Sequence, residues 1–139
     1  MSKKIVITGG IGYIGTELCK IYSGVSWNNE ILVIDNKFAS ERVNQLRNWG
    51  IDFIHGDILD KDLVNKHCKD ADIVHHLAGI TDVPRVKSES NSEKDAKIKL
   101  VGEEGTQNIL DAISNKCKII FPSTHVVYEG IEKVKNDIL

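Results

Sequence analysis

Short unbroken apolar runs alternate along this chain with stretches in which apolar residues recur every three or four positions. Ile5-Val6-Ile7 and Ile31-Leu32-Val33-Ile34 have no polar interruption. That is the pattern of strands covered on both faces, as in a parallel sheet. The spacing predicts strands over 3–8, 30–35, 51–55, 71–77 and 117–121, and helices over 12–24, 41–49, 60–68 and 93–115. In the first helix, Ile14, Leu18 and Ile21 form the stripe expected to face the sheet, with Thr16, Glu17 and Lys20 facing away. The last helix carries Ile98, Val101, Ile109, Leu110 and Ile113, but Gly102 and Gly105 lower its propensity. Strand and helix in strict alternation imply βαβ units. With right-handed crossovers they give a doubly wound parallel sheet, most simply in the order 3-2-1-4-5.

The first strand runs directly into Thr8-Gly9-Gly10-Ile11-Gly12-Tyr13-Ile14-Gly15. Glycines at this spacing bring a dinucleotide pyrophosphate onto a helix N-terminus. One permits the tight turn, Gly12 lets backbone approach phosphate, and Gly15 lets the helix pack close to the strand. The free N–H groups of the helix end then meet the negative charge. Asp35 closes the second apolar run about twenty residues beyond Gly15, where a carboxylate accepts hydrogen bonds from an adenosine ribose. The same carboxylate repels the additional phosphate of NADP. Turn and acid together predict a three-layer Rossmann-type domain over 1–139 that binds NAD.

Composition narrows this further. Eighteen basic and twenty acidic side chains leave a net charge of −2, so no basic field points to nucleic acid. Cys19, Cys68 and Cys117 are an odd count without a Cys-x-x-Cys pair, which suits reduced thiols rather than a disulfide framework. No apolar run approaches the roughly twenty residues a membrane span requires, and Met-Ser-Lys-Lys leads at once into the first strand. A cytoplasmic protein is expected. The five histidines do not suggest a metal site. His75 and His76, as neighbours on a strand, point to opposite faces, and His55, His67 and His125 fall in separate units. Cys19 reads as a small core residue, and Trp27 and Trp49 as cover for the core. Glu41-Arg42 is either a contact on the adenosine side or a solvated first turn.

Beyond the opening turn, further segments resemble the extended short-chain dehydrogenase/reductases, in particular the NAD-dependent epimerase/dehydratase family. Asp35-Asn36 is similar to that family's ribose-binding acid and its neighbour. His55-Gly56-Asp57-Ile58 is similar to the segment where an Asp side chain and the next backbone N–H hold adenine. His76-Leu77-Ala78-Gly79 ends the fourth strand with small residues that leave room for ribose and phosphate. Gly105-Thr106-Gln107-Asn108-Ile109-Leu110 resembles the helix motif beside that strand, and Phe121-Pro122-Ser123-Thr124-His125-Val126-Val127-Tyr128 the segment carrying the catalytic hydroxyl. The resemblance implies cofactor contacts at Gly9, Gly12, Tyr13, Ile14, Gly15, Asp35, Asn36, Ser40, Asp57, Ile58, Leu77, Ala78 and Gly79. It implies a catalytic role for Thr124, whose hydroxyl would bond the reacting oxygen of a nucleotide sugar while hydride passes to NAD.

The departures shape the expected function. The family's base is a Tyr-x-x-x-Lys pair, four residues apart on one helix face. Here Glu17 follows Tyr13 at that spacing, Ser26 follows Tyr22 and Glu132 follows Tyr128. The sixth strand and the C-terminal substrate region of the family are also missing. Gly102, Thr81, Pro122 and Glu129 stand where the family often has other residues, so the nicotinamide end departs further than the adenosine end. The chain is expected to be the NAD-binding part of a nucleotide-sugar epimerase or dehydratase, inactive by itself. The fifth strand, with an open edge at 117–121, is expected to give the chain a tendency to dimerise or aggregate. A non-catalytic NAD-binding sensor or partner module is the rival reading. A dehydrogenase acting on steroids or flavonoids shares most of these motifs.

Overall fold

Lys4–Thr8 (β1) buries every residue after the first, and Glu30–Asp35 (β2) does the same. Such strands are stable only when helices cover both faces of their sheet. In the computed structural model, which describes residues 2–25, 28–80 and 92–123, they form the centre of a five-stranded sheet. Asp52–His55 (β3), Ile73–His76 (β4) and Lys118–Ile120 (β5) complete it in the order β3-β2-β1-β4-β5. Every pairing is parallel, with Val6 opposite Leu32 and Val74, and Val74 opposite Ile119. The expected order and strand positions are therefore present.

Alternation along the strands divides the core in two. Ile5, Ile7, Ile31 and Val33 pack with Ile11, Cys19, Leu46 and Ile51, beneath helices Tyr13–Ser23 (α1) and Ser40–Asn48 (α2). Val6, Leu32, Ile34 and Val74 pack with Ile58, Val64, Cys68 and Ile109. These lie under helices Lys61–Cys68 (α3) and Thr106–Ala112 (α5). Strands of period two between two helical layers make the three-layer, doubly wound arrangement. Asp60 caps α3, its carboxylate accepting the Leu63 N–H at 3.0 Å, the satisfied first-turn donor expected of a good N-cap.

Two helical expectations need correction. The buried face of α1 is Gly15 and Cys19 with Leu18 and Tyr22 beside them, whereas Ile14 and Ile21 are exposed. A helix drawn close to a sheet buries its small residues, so its largest apolar side chains are pushed to the flanks. The predicted single helix over 93–115 is also interrupted. Ser92–Leu100 (α4) passes into a π-helical turn at Val101–Gly105 before α5 begins. Both low-propensity glycines, Gly102 and Gly105, fall within that turn, and Leu110 beyond it is exposed. Trp49 and Cys19 belong to the core as expected, while Trp27 lies outside the described residues. Burial pushes the Cys19 thiol up to about 11, which keeps it protonated and unreactive at neutral pH.

Candidate active site at the sheet switch point

Sheet order reverses between β1 and β4, and ligands of open α/β sheets bind at the carboxyl ends of the strands there. The glycine turn after β1 and the segment after β4 meet at this place. Gly9 has φ +70°, and a Cβ on it would lie 2.8 Å from the Ala78 nitrogen. Its own N–H donates to the Ile34 carbonyl at 2.8 Å. On the next turn, a Cβ on Gly15 would come within 2.6 Å of the Gly10 Cα and the Gly9 carbonyl oxygen. Both glycines are required by backbone contacts inside the protein. Gly10 is required too, since a Cβ there would fall 2.5 Å from a methyl of Val33. Sequence spacing did not single it out.

Gly12 differs from these three. It is the N-cap of α1, with ordinary φ −70°, and makes no side-chain cap. Among the described residues, a Cβ on Gly12 would meet within 4 Å only the Gly9 carbonyl oxygen, at 3.2 Å. None of them demands a glycine here, so among them the missing side chain leaves space in front of the helix. No acidic residue occupies the first turn of α1, and Tyr13 and Ile14 are exposed. The positive end of the helix dipole and its unpaired N–H groups therefore face an open cradle suited to an anion.

Asp35 lies beside that cradle and is buried. One carboxylate oxygen accepts the Ile11 N–H at 3.2 Å and the other the Lys37 N–H at 3.0 Å. Each oxygen retains a lone pair, so the fixed carboxylate can still accept from a diol. Asn36 donates to Asp57 at 3.3 Å, and the other Asp57 oxygen accepts the Leu59 N–H at 2.9 Å. Ile58 is buried, its side chain against Gly105 and its carbonyl accepting from the Asn108 amide at 3.0 Å. The expected adenosine-side residues thus stand together on the β2 and β3 ends. Ser40 is exposed at the start of α2. Thr124 and Tyr128 lie outside the described residues.

A buried polar relay that the sequence reading missed secures the β4 side. The Leu77 N–H donates to the Thr8 carbonyl at 3.1 Å, and the Ala78 N–H to the Thr8 hydroxyl at 3.2 Å. His76 Nδ1 lies 2.7 Å from the same hydroxyl, and its Nε2 3.0 Å from the Thr106 hydroxyl. Since the Thr8 oxygen already accepts from Ala78, the arrangement satisfying every group has Thr8 donating to Nδ1 and Nε2–H donating to Thr106. Burial holds the His76 pKa below the ordinary imidazole range, as this neutral form requires. His75 points to the opposite face, 2.7 Å from the Tyr22 hydroxyl. Among the described residues, nothing lies within 4 Å of where a Cβ on Gly79 would stand.

The first turn of α2 is not merely solvated. Arg42 reaches back to donate to the Ile11 carbonyl and lies over the Tyr13 ring, 5.9 Å from its centre. Nothing in the helical pattern of 41–49 signals that reach.

Comparison with known proteins agrees with this geometry. A profile of the 3-beta hydroxysteroid dehydrogenase/isomerase family matches residues 6–137. A CDP-paratose 2-epimerase of Salmonella typhi is 35% identical over 143 residues, spanning 95% of this chain and 40% of that enzyme. The UDP-N-acetylglucosamine 4-epimerase of Methanobrevibacter ruminantium M1, solved with UDP-N-acetylmuramic acid, superposes with a TM-score of 0.71 at 26% identity. That match covers 94% of this chain and 42% of the other. The Bifidobacterium longum UDP-glucose 4-epimerase, solved with NAD+ and UDP, gives 0.71 at 21% identity over 91% of this chain and 38% of its own. The chain spans about two fifths of the length of the curated relative it matches.

Proposed function

The chain belongs to the 3-beta hydroxysteroid dehydrogenase/isomerase family, within the extended short-chain dehydrogenase/reductases, and from that premise we propose that it binds NAD at the β1–β4 switch point as the cofactor-holding part of a nucleotide-sugar epimerase or dehydratase. The observation that carries the reading is the open face of Gly12 beside the anchored Asp35. One offers space and N–H donors for a diphosphate, the other an acceptor for ribose hydroxyls. Backbone N–H groups of Tyr13, Ile14 and Gly15 would hold the diphosphate. Asp57 and the Ile58 N–H would hold the base, with Asn36 and Ser40 at the adenosine edge. Leu77, Ala78 and Gly79 would wall the nicotinamide half without filling it. NAD, when bound, supplies the hydride acceptor for oxidation of a carbinol.

In this reading Thr124 donates or accepts a hydrogen bond at the reacting oxygen and so fixes its orientation. The nucleotide sugar is favoured as substrate by the epimerase relatives, and a steroid by the name of the matching family.

Asp35→Ala is expected to weaken NAD binding by about 1–3 kcal/mol, the worth of hydrogen bonds to a charged group, with calorimetric titration as the measurement. The wild-type chain should prefer NAD over NADP, because a 2′-phosphate would meet the carboxylate charge. Equal affinity for the two cofactors would overturn the placement of the ribose at Asp35. The 139-residue chain, incubated with NAD and UDP- or CDP-sugars or a 3β-hydroxysteroid, is expected to give no product. A positioned base typically contributes about 10²–10⁴-fold, and none of its tyrosines has the lysine partner. Turnover of any of these would refute the module reading and name the substrate class.

A further inference from the structure

We propose that Asn108 is a positioning residue for the base end of the site. It holds the Asp57–Leu59 segment so that a backbone donor and a carboxylate acceptor are presented together to a purine edge. The inference rests on the reading that the base of the dinucleotide lies at Asp57 and Ile58. Asparagine is a poor choice for the middle of a helix, because its amide competes with the helix backbone. Asn108 lies inside α5, yet its amide is used elsewhere. It donates to the Ile58 carbonyl at 3.0 Å and approaches the Leu59 carbonyl at 3.4 Å. Three positions earlier, on the same helix face, Gly105 closes the π-helical turn. A Cβ on Gly105 would fall 2.4 Å from the Ile58 δ-methyl. The small residue and the amide together let α5 grip Ile58 by its side chain and by its carbonyl.

Both peptide planes that meet at Ile58 are fixed. The plane before it is held by the Asp57 carbonyl, which accepts the Asp60 N–H at 3.0 Å. The plane after it is held at both ends, by Asn108 on the Ile58 carbonyl and by the Asp57 carboxylate on the Leu59 N–H. The Ile58 N–H has no hydrogen-bond partner among the described residues, although Ile58 is only 5% exposed. A fixed, unused donor therefore stands beside a carboxylate whose oxygens retain lone pairs. Adenine offers the matching edge, with a ring nitrogen that accepts and an amino group that donates. Hypoxanthine has the same shape with those roles exchanged, so both of its contacts would be mismatched. A site of fixed polar groups rejects such an analogue because the groups are left unpaired. Asn108 acts on this choice through Ile58, without touching the base.

The test titrates NAD and nicotinamide hypoxanthine dinucleotide into the wild-type chain, Asn108→Leu, Asn108→Asp and Gln107→Gly. Circular dichroism establishes that each is folded, and thermal melts rank their stability. Leucine fills a similar volume without a donor, and aspartate keeps the shape but turns an acceptor toward the two carbonyls. Gln107 is exposed on α5, so Gln107→Gly weakens the helix without touching the 57–59 segment. Wild type is expected to bind NAD at least about tenfold more tightly than the hypoxanthine analogue. Both Asn108 variants should bring that ratio to within about threefold, by losing affinity for NAD and not for the analogue. Gln107→Gly should keep the wild-type ratio. A ratio that persists in the folded Asn108 variants, or that falls equally in Gln107→Gly, overturns the role given to Asn108. A wild type that binds both dinucleotides alike overturns the placement of the base at Ile58. One that binds neither overturns instead the cofactor reading beneath it.

Discussion

Gly12→Val is expected to fold and to lose NAD binding by more than about 100-fold, roughly 2.8 kcal/mol at 1.4 kcal/mol per decade. Folding should survive because Gly12 has φ −70° and ψ −179°, an extended conformation that a β-branched residue adopts readily. Among the described residues, the only atom near its Cβ is the Gly9 carbonyl oxygen at 3.2 Å, a contact relieved by a few tenths of an ångström. Binding should fail because the isopropyl group would fill the space in front of α1, where the diphosphate would lie. Gly15→Val is the control. Its Cβ would press on the Gly10 Cα and the Gly9 oxygen at 2.6 Å, backbone that cannot swing aside. That variant should lose about 1–3 kcal/mol or more of stability. Thermal melts and NAD titration of the two proteins separate the effects. Native affinity in folded Gly12→Val would show that no phosphate lies at this helix end.

The contrast between these two glycines also shows what the sequence could and could not reveal. Spacing located the turn, since a strand, three glycines and an acid at the next strand end are local features with local causes. It could not say which glycine answers to the protein and which to a ligand. That depends on Ala78, which approaches Gly9 from the segment after β4, nearly seventy residues away, and on Gly10, against which Gly15 packs. Unbroken apolar runs disclosed both central strands, because full burial forces such runs. The face of α1 was misread because hydrophobicity marked Ile14 and Ile21, while close approach to the sheet selects Gly15 and Cys19. The relay from Thr8 through His76 to Thr106 has no periodic signature. Its members belong to three elements and meet only once β1, β4 and α5 are assembled.

That relay makes stability sensitive to acid. In the unfolded chain the His76 imidazole titrates near 6.5, whereas in the native state burial holds its pKa below that value. Below about pH 6.5 the unfolded state therefore binds a proton that the native state refuses, and stability falls as pH falls. The contribution is complete above the unfolded pKa and is lost toward the folded one, with a slope of at most about 1.4 kcal/mol per pH unit for one histidine. His75 and His67 are shifted in the same direction, chiefly by burial, and steepen the loss. His76→Phe removes one titrating group and also strands its partners. The Thr8 hydroxyl loses its acceptor in a site with no solvent access, and the Thr106 hydroxyl loses a donor. A cost of about 1–3 kcal/mol is expected at pH 7.5, a large share of the stability of a domain this size. Between pH 7 and pH 5 the variant should lose less stability than the wild type, because protonating the unfolded state at this position no longer competes with folding. Urea denaturation at both pH values measures the two effects together. An unchanged pH slope in His76→Phe would mean that folding leaves the His76 pKa where it is in the unfolded chain, and would overturn a buried neutral imidazole at this position.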